Sequence, residues 1–229
     1  MDPRRRIVLL RLLQGSLLVL GARAGLLQAA PAAPTAEQLT TFFRAVQLDD
    51  ARTVQAMIGK VVNANQRNPL GGEPGLVLAL REDAMRVFQV FLDHPGTDLE
   101  TRAANGNTAL MMAAFKRQRA AVDALLARGA KVNGAGWTAL HYAAAAGDDG
   151  IVELLLARGA KIDAVSSLKS GAYTPLMMAA REGQDGTALL LLKKGANAGL
   201  KNSEGLSAVQ IAERAGKSRV AEAIARALR

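Results

Sequence analysis

Residues 138–160 show a pattern of apolar and polar positions that predicts two short helices joined by a tight turn. Apolar residues stand at i, i+3 and i+4 on one face of each predicted helix. Thr138 is suited to cap the first helix, because its hydroxyl can accept from an amide of the first turn. Gly147 and Gly159 follow the two helices, where the backbone often takes positive φ. The inward-facing residues are Leu140, Ala143, Ala144, Ile151, Val152, Leu155 and Leu156.

The same pattern recurs through most of the chain with a period of about 33 residues. Two such helices are too small to bury their apolar faces alone, so the copies must stack on one another. Six copies begin near residues 40, 74, 108, 138, 174 and 207. Each has an alanine five residues after its start, at Ala45, Ala79, Ala113, Ala143, Ala179 and Ala212.

These copies resemble the ankyrin repeat, which has a period of about 33 residues and the motif T-P-L-H-x-A. Residues 174–176 read Thr-Pro-Leu, and residues 138–141 read Thr-Ala-Leu-His. The resemblance covers residues 37–229, which we predict to be one ankyrin repeat domain. It implies an all-α solenoid of about six helix-turn-helix repeats with β-hairpin fingers. A finger is the connection from one repeat to the next.

The resemblance also implies structural roles for particular side chains. In ankyrin repeats the imidazole of the motif bonds to the backbone and ties adjacent repeats together, and that position is held here by His141. We expect the threonines at the repeat starts to cap first helices and the glycines after the second helices to close them. These residues are Thr108, Thr138, Thr174, Gly129, Gly159 and Gly195.

Two neighbouring fingers depart from the usual length. The finger at residues 131–137 is about three residues shorter than in the family, and the finger at 162–173 is about three residues longer. A short finger beside a long one predicts a notch and a projection on the same edge of the solenoid.

The first thirty residues differ in kind from the repeats. An arginine-rich start at residues 4–6 is followed by an apolar run at 7–20 and then by small residues, which is the order of a secretory signal peptide. Sites of the A-x-A type place cleavage after Ala24, Ala30 or Ala32. Arg11 and Arg23 depart from this pattern. We predict that residues 1–30 are a signal peptide with a small-residue linker.

A cleaved signal peptide predicts a periplasmic or secreted protein of bacterial origin. The apolar run is shorter than the about 20 residues that a membrane span needs, so no stable span is expected after cleavage. Two alternatives stay open, an organelle transit peptide and an uncleaved leader that keeps the protein in the cytoplasm or at a membrane.

Composition and charge exclude several classes of function. The chain has no cysteine, which removes disulfides and thiolate sites. Its net charge is +9, and cleavage after Ala24 removes five arginines and one aspartate and leaves +5. The basic residues are dispersed and aromatic residues make up 3%, so the continuous stripe of a nucleic-acid binder is missing.

No catalytic or metal site can be assembled from the sequence. His94 and His141 lie in different repeats. The aspartate pairs at 49–50 and 148–149 fall in turns, where acidic side chains favour a helix N-terminus. We therefore predict a protein that is not an enzyme and that has no cofactor.

A stacked repeat surface is suited to binding another protein. In ankyrin proteins the contacts come from finger tips and from the first helices on the concave face. By position, Trp137 and Tyr173 are adjacent, partly exposed aromatics there, and Phe115 lies one repeat away. Aromatic residues of this kind dominate interface hot spots. The remaining candidates are Asn107, Lys116, Leu168, Lys169, Arg181 and Glu182.

The favoured hypothesis is a monomeric, exported scaffold or inhibitor of the immunity-protein type that binds another protein. Two alternatives stay open. The aromatics could instead cover joints between repeats, and the protein could be a cytoplasmic or membrane-anchored adaptor.

Overall fold

The computed structural model describes residues 33–229, and the predicted leader at 1–30 lies outside this range. The described residues form twelve α-helices and one 3₁₀ turn, Leu168–Ser170, and contain no β-strand. The α-helices are α1 (Ala36–Gln47), α2 (Ala51–Met57), α3 (Gly75–Arg81), α4 (Met85–Asp93), α5 (Ala109–Phe115), α6 (Arg119–Ala127), α7 (Ala139–Ala146), α8 (Asp149–Ala157), α9 (Pro175–Glu182), α10 (Asp185–Lys193), α11 (Ala208–Arg214) and α12 (Ser218–Ala227).

Consecutive helices pack in pairs, and the pairs stack in chain order. The odd-numbered helices form one row in which each contacts the next, and we call it the first-helix row. Even-numbered helices pack outside it, with α6, α8, α10 and α12 in contact in that order. The all-α prediction is confirmed. The predicted β-hairpin fingers are not confirmed, because the connections are irregular and hold one isolated antiparallel bridge, from Arg67 to Pro74, within residues 33–229.

Alanine controls the spacing within the first-helix row. The alanine five residues after each repeat start is buried, and a methyl group there lets neighbouring helices approach closely. The apolar core runs without interruption from Phe42 to Ile224. At its N-terminal end the rings of Phe42, Phe43 and Phe91 pack edge to face, with centroids of successive pairs 5.3 and 6.1 Å apart.

Polar residues directly before several helices cap their N-termini. The hydroxyls of Thr108 and Thr174 accept from the amides of Met111 and Met177, as expected for N-caps. Helix α1 begins earlier than the repeat start near residue 40. Thr35 caps it through reciprocal hydrogen bonds with Gln38.

Glycines close several helices at positions where the backbone turns left-handed. The φ angles of Gly129, Gly159 and Gly195 are 89°, 82° and 97°, respectively, a region that side-chain-bearing residues rarely adopt. The predicted positions are therefore the places where the chain reverses after α6, α8 and α10.

The two aspartates of the first turn have different partners, and one of them joins neighbouring repeats. Asp49 accepts from the backbone amide of Val87 at 2.9 Å and from Arg86 at 2.9 Å, both in the next helix pair. Burial raises the pKa of Asp49, but these hydrogen bonds outweigh it and hold the pKa below its usual value. Asp50 caps α2 by accepting from the Thr53 amide. Both carboxylates therefore accept hydrogen bonds that stabilise the fold.

The long finger folds back on itself. Its two sides are joined by hydrogen bonds from the Ser166 amide to the Tyr173 carbonyl (2.8 Å) and from the Tyr173 amide to the Ser166 hydroxyl (2.9 Å). The amide of Ser203, in the following finger, donates to the Gly171 carbonyl at 3.0 Å. Leu168 begins the 3₁₀ turn at the tip and is 80% exposed. The tip is therefore braced by neighbours while its leucine faces solvent.

Substitution of Gly75 by alanine tests the close packing at the start of α3. A Cβ atom there would enter the ring of Phe91, which is fully buried against Phe42 and has no room to move. We expect Gly75→Ala to lower the free energy of unfolding in urea by about 1–3 kcal/mol, as overpacking does.

Gly186→Ala is the matched control, because Gly186 is also at a helix start and a Cβ atom there meets only ordinary contact distances. It should be neutral or slightly stabilising, since alanine lowers the entropy of the unfolded chain. A Gly75→Ala protein as stable as this control would contradict the packing described here.

Candidate protein-binding site

Four aromatic side chains form a continuous group on α5, on α7 and at the positions two residues before α7 and α9. We call Phe115, Trp137, Tyr142 and Tyr173 the aromatic cluster. The rings of Trp137 and Tyr173 stack with centroids 6.3 Å apart and an interplanar angle of 18°. Tyr142 contacts Trp137 on one side and the edge of Phe115 on the other, at 6.2 and 6.0 Å. The cluster therefore spans three successive repeats.

His141 forms the buried base of this cluster. Its side chain is 1% exposed, and the edge of its ring meets Trp137 with centroids 5.2 Å apart. The backbone amide of Thr138 donates to Nδ1 at 3.1 Å, and Nε2 lies 3.0 Å from the carbonyl oxygen of Tyr173. Since an amide can only donate, Nδ1 carries no proton and Nε2 donates to Tyr173. The imidazole thus links α7 to the start of the next repeat as a neutral group.

Thr138 differs from the other repeat threonines in how it uses its hydroxyl. Its Oγ1 lies 2.9 Å from Nδ1 of His141, so hydroxyl and amide both face the same ring nitrogen. Burial lowers the pKa of His141 from 6.5 to about 4, because the charged imidazolium would lose its solvation. A proton on Nδ1 would also oppose the Thr138 amide.

The exposure of the candidate residues differs from the expectation for Tyr173. Phe115 is 51% exposed and Trp137 is half-buried, but Tyr173 is only 9% exposed. The ring of Trp137 covers one face of Tyr173, and the folded-back finger fixes its backbone. The prediction that Tyr173 is partly exposed is wrong, and Tyr173 supports Trp137 from beneath.

Asn107 is likewise buried, at 7% exposed. Its side-chain oxygen accepts from the hydroxyl of Tyr142. Burial raises the pKa of Tyr142 above its usual value, which keeps that hydroxyl protonated as a donor. The side chain of Asn107 therefore orients Tyr142, and its contact role with a partner stays a prediction.

The charged candidates lie around the cluster on the surface. The guanidinium of Arg181 stands over the Tyr173 ring, 5.7 Å from its centroid, and 3.5 Å from the carboxylate of Glu182. The ammonium of Lys116 pairs with Asp83 at 2.7 Å. Lys169 is exposed beside Leu168 at the tip of the long finger.

Sequence reasoning missed Tyr142 and Met178. Both stand four residues after a repeat threonine, and both are partly buried beside the fully buried His141 and Met177. A cavity of about 120 Å³ opens between them, and its lining residues are Trp137, His141, Tyr142, Met178 and Arg181. The repeat alignment could have indicated both residues, because each occupies the fourth position after the threonine that begins its repeat.

The other chemical candidates of the sequence lie apart. His94 ends α4, where its Nδ1 accepts from the Gly96 amide, far along the chain from His141. Residues 33–229 contain no group of three or more histidine, aspartate or glutamate side chains that could hold a metal ion. None of the helices in this range is long and apolar enough to cross a membrane.

Comparison with known families agrees with this architecture. The family described as ankyrin repeats (3 copies) matches residues 42–135, 76–166 and 132–202, which together cover most of the chain. The protein therefore belongs to the ankyrin repeat family, whose members are generally protein–protein interaction modules and typically not enzymes. No curated protein matches the chain at a significant level.

The buried histidine predicts a loss of stability in mild acid. The unfolded chain takes up a proton on His141 near pH 6.5, whereas the folded chain does so only near pH 4. The contribution of neutral His141 to the free energy of unfolding is therefore complete above pH 6.5 and falls as the pH drops towards 4. From about pH 7.5 to about pH 5 we expect the free energy of unfolding in urea to fall by about 2 kcal/mol.

A His141→Gln protein should show little change over this interval, while His94→Gln should keep the dependence of the parent protein. The lowered pKa values of Asp49 and Asp185 confine their contribution to more acid pH. A parent protein with constant stability down to pH 5 would contradict the neutral, buried state of His141.

Proposed function

We propose that this protein is a non-enzymatic scaffold that binds another protein through the aromatic cluster and the neighbouring finger tip. The observation that carries the proposal is the layered arrangement of the cluster. Phe115 and Trp137 offer exposed ring surface, while Tyr173 and His141 hold Trp137 from beneath. Large aromatic anchors that are already fixed before binding lose little entropy on association.

The partner surface extends from the cluster in two directions. Towards α9 it includes Arg181 and Glu182, and towards the preceding repeat it includes Lys116. The tip of the long finger adds Leu168 and Lys169. An exposed leucine on a braced turn suits an interface, since neighbouring hydrogen bonds have already ordered it.

The number of repeats in this proposal is six, within a domain spanning 37–229. Support comes from the six helix pairs, which extend beyond the matched range 42–202 to α11 and α12. Helix α12 has a stripe of Val220, Ala221 and Ile224 towards the core, with exposed charges on its other side. That pattern suits a terminal repeat, which must meet water on its outer side.

The proposal also includes the cellular location of the protein. The sequence of residues 1–30 supports export to the periplasm or the outside of a bacterial cell. There a monomeric protein of this kind would serve as an inhibitor of the immunity-protein type or as an envelope scaffold. A cytoplasmic or membrane-anchored adaptor that keeps its leader is the second candidate, which the apolar run at 7–20 favours.

Truncation of the two exposed anchors tests the binding site. We expect the Phe115→Ala, Trp137→Ala double variant to bind a partner, isolated by affinity capture and identified, about 30-fold or more weakly than the parent, as loss of a hot spot does. The dissociation constants would be measured by calorimetry.

Leu189→Ala is the control, because Leu189 is an exposed apolar residue on α10, outside the first-helix row. It should bind like the parent protein. Circular dichroism establishes that each variant is folded. Unchanged affinity in the folded double variant would refute the proposed site.

The intact mass of the protein from fractionated host cells tests the proposed location. We expect a mature chain that begins at Gly25, Pro31 or Ala33 in the periplasmic or secreted fraction, because signal peptidase cuts after small residues. A chain that retains residues 4–20 in the cytosol or membrane would overturn export and favour the adaptor.

A further inference from the structure

The cavity beside the aromatic cluster has the size of one aliphatic side chain. Its volume is about 120 Å³. Cavities of about 150 Å³ lined by apolar groups hold a benzene molecule, so a space of this volume has room for one aliphatic side chain. Trp137, Tyr142 and Met178 form apolar walls, which favour a hydrocarbon occupant.

Most polar atoms of the lining are already engaged. Both ring nitrogens of His141 have hydrogen-bond partners, and the hydroxyl of Tyr142 donates to Asn107. Of the five described residues that line the cavity, Arg181 is the one that carries a charge. The chemical selectivity at the rim of the cavity therefore comes from its guanidinium.

Arg181 is less committed than Arg81 and Arg214, which lie at the ends of two other first helices. Arg214 contacts both carboxylate oxygens of Glu204, and Arg81 lies within 3.1 Å of two glutamates. Arg181 has a single carboxylate contact, at 3.5 Å, between side chains that are 50% and 43% exposed. Such an exposed and loose ion pair contributes little, so the guanidinium can exchange Glu182 for a carboxylate of a partner.

The charge around the site opposes a cationic ligand. The Arg181 guanidinium already stands over the Tyr173 ring, the place where an ammonium group would otherwise be attracted. Residues 33–229 carry 24 lysines and arginines and 19 aspartates and glutamates, an excess of five positive charges. Electrostatic steering by this excess favours acidic partners.

We propose that the cavity takes one aliphatic side chain from an acidic segment of the partner protein, with a neighbouring aspartate or glutamate of that segment bound to Arg181. This inference rests on the proposed function and adds the chemistry of the partner. The aliphatic group would bury itself between Trp137, Tyr142 and Met178, and the carboxylate would accept from the guanidinium at the rim.

A display library of random linear peptides, selected on the full-length protein, tests this specificity. The enriched peptides should share leucine, isoleucine, valine or methionine within one or two positions of an aspartate or glutamate. Changing that acid to its amide should weaken binding about tenfold, the size of a hydrogen bond between charged groups.

Arg181→Gln should bind the acidic peptide about tenfold more weakly and no longer distinguish it from its amide form, because the two changes remove the same contact. Arg158→Gln is the matched control, since Arg158 is an exposed arginine at the end of α8. It should keep the full preference. Met178→Phe, which fills the cavity, should remove the aliphatic preference, with its fold checked by circular dichroism.

The outcomes separate this inference from the proposed function. Enriched peptides that are basic or uncharged, an Arg181→Gln protein that still prefers acids, or no enrichment at all would each overturn the inference. If such differently composed peptides still lose affinity in the Phe115→Ala, Trp137→Ala variant, the binding site itself stands. Peptides of any composition that bind that variant like the parent protein would count against the proposed function.

Discussion

The structure depends on the fact that a pair of helices seven to twelve residues long cannot bury its own apolar face. Each pair is completed by the next, so the stability of the array resides in the contacts between neighbours. The buried alanines of the first-helix row set the distance of that contact, and the turn aspartates add polar bonds from one pair to the next. The candidate binding site is built from the same joints.

In the proposed function, a joint between repeats also forms the binding site. Tyr173 and His141 belong to the packing between α7 and α9, and a solenoid without a partner would need them as much as this one does. Trp137 rests on them with part of its ring exposed, and Phe115 extends the group by one repeat. Function here requires no departure from the repeat plan, only larger side chains at positions where the plan leaves room.

The parts of the fold that depend on the sequence of a single repeat could be predicted. Helical spacing, the alanine at a fixed offset and the closing glycines located the helix pairs, because those features act within a repeat or between equivalent positions. Helix α1 begins before Thr40, the position that aligns with the other repeat starts, because the local pair Thr35 and Gln38 caps it. The fingers were expected as β-hairpins from the family, but their backbone pairs too little to form strands.

The site was predictable only in part, because exposure depends on contacts between repeats of unequal length. The position of Tyr173 directly before Thr174 predicted that its ring is exposed. The ring is buried because the long finger folds back through Ser166 and because Trp137 covers one face of it. Tyr142 lies inside α7 and not among the residues that flank a first helix, so its place in the cluster depends on contacts between repeats. The burial of Asn107 was not predictable from its own repeat, because its partner Tyr142 lies in the following one.

The bond from His141 to the Tyr173 carbonyl places a buried imidazole in the joint between α7 and α9. Hydrocarbon contacts between repeats do not depend on protons, but this joint contains a titrating group sealed beneath an indole ring. In mild acid the seam between α7 and α9 loses the stabilisation that neutral His141 contributes. In the proposed function a ligand that contacts both Trp137 and Arg181 spans that seam, so binding would stabilise the contact between these two repeats.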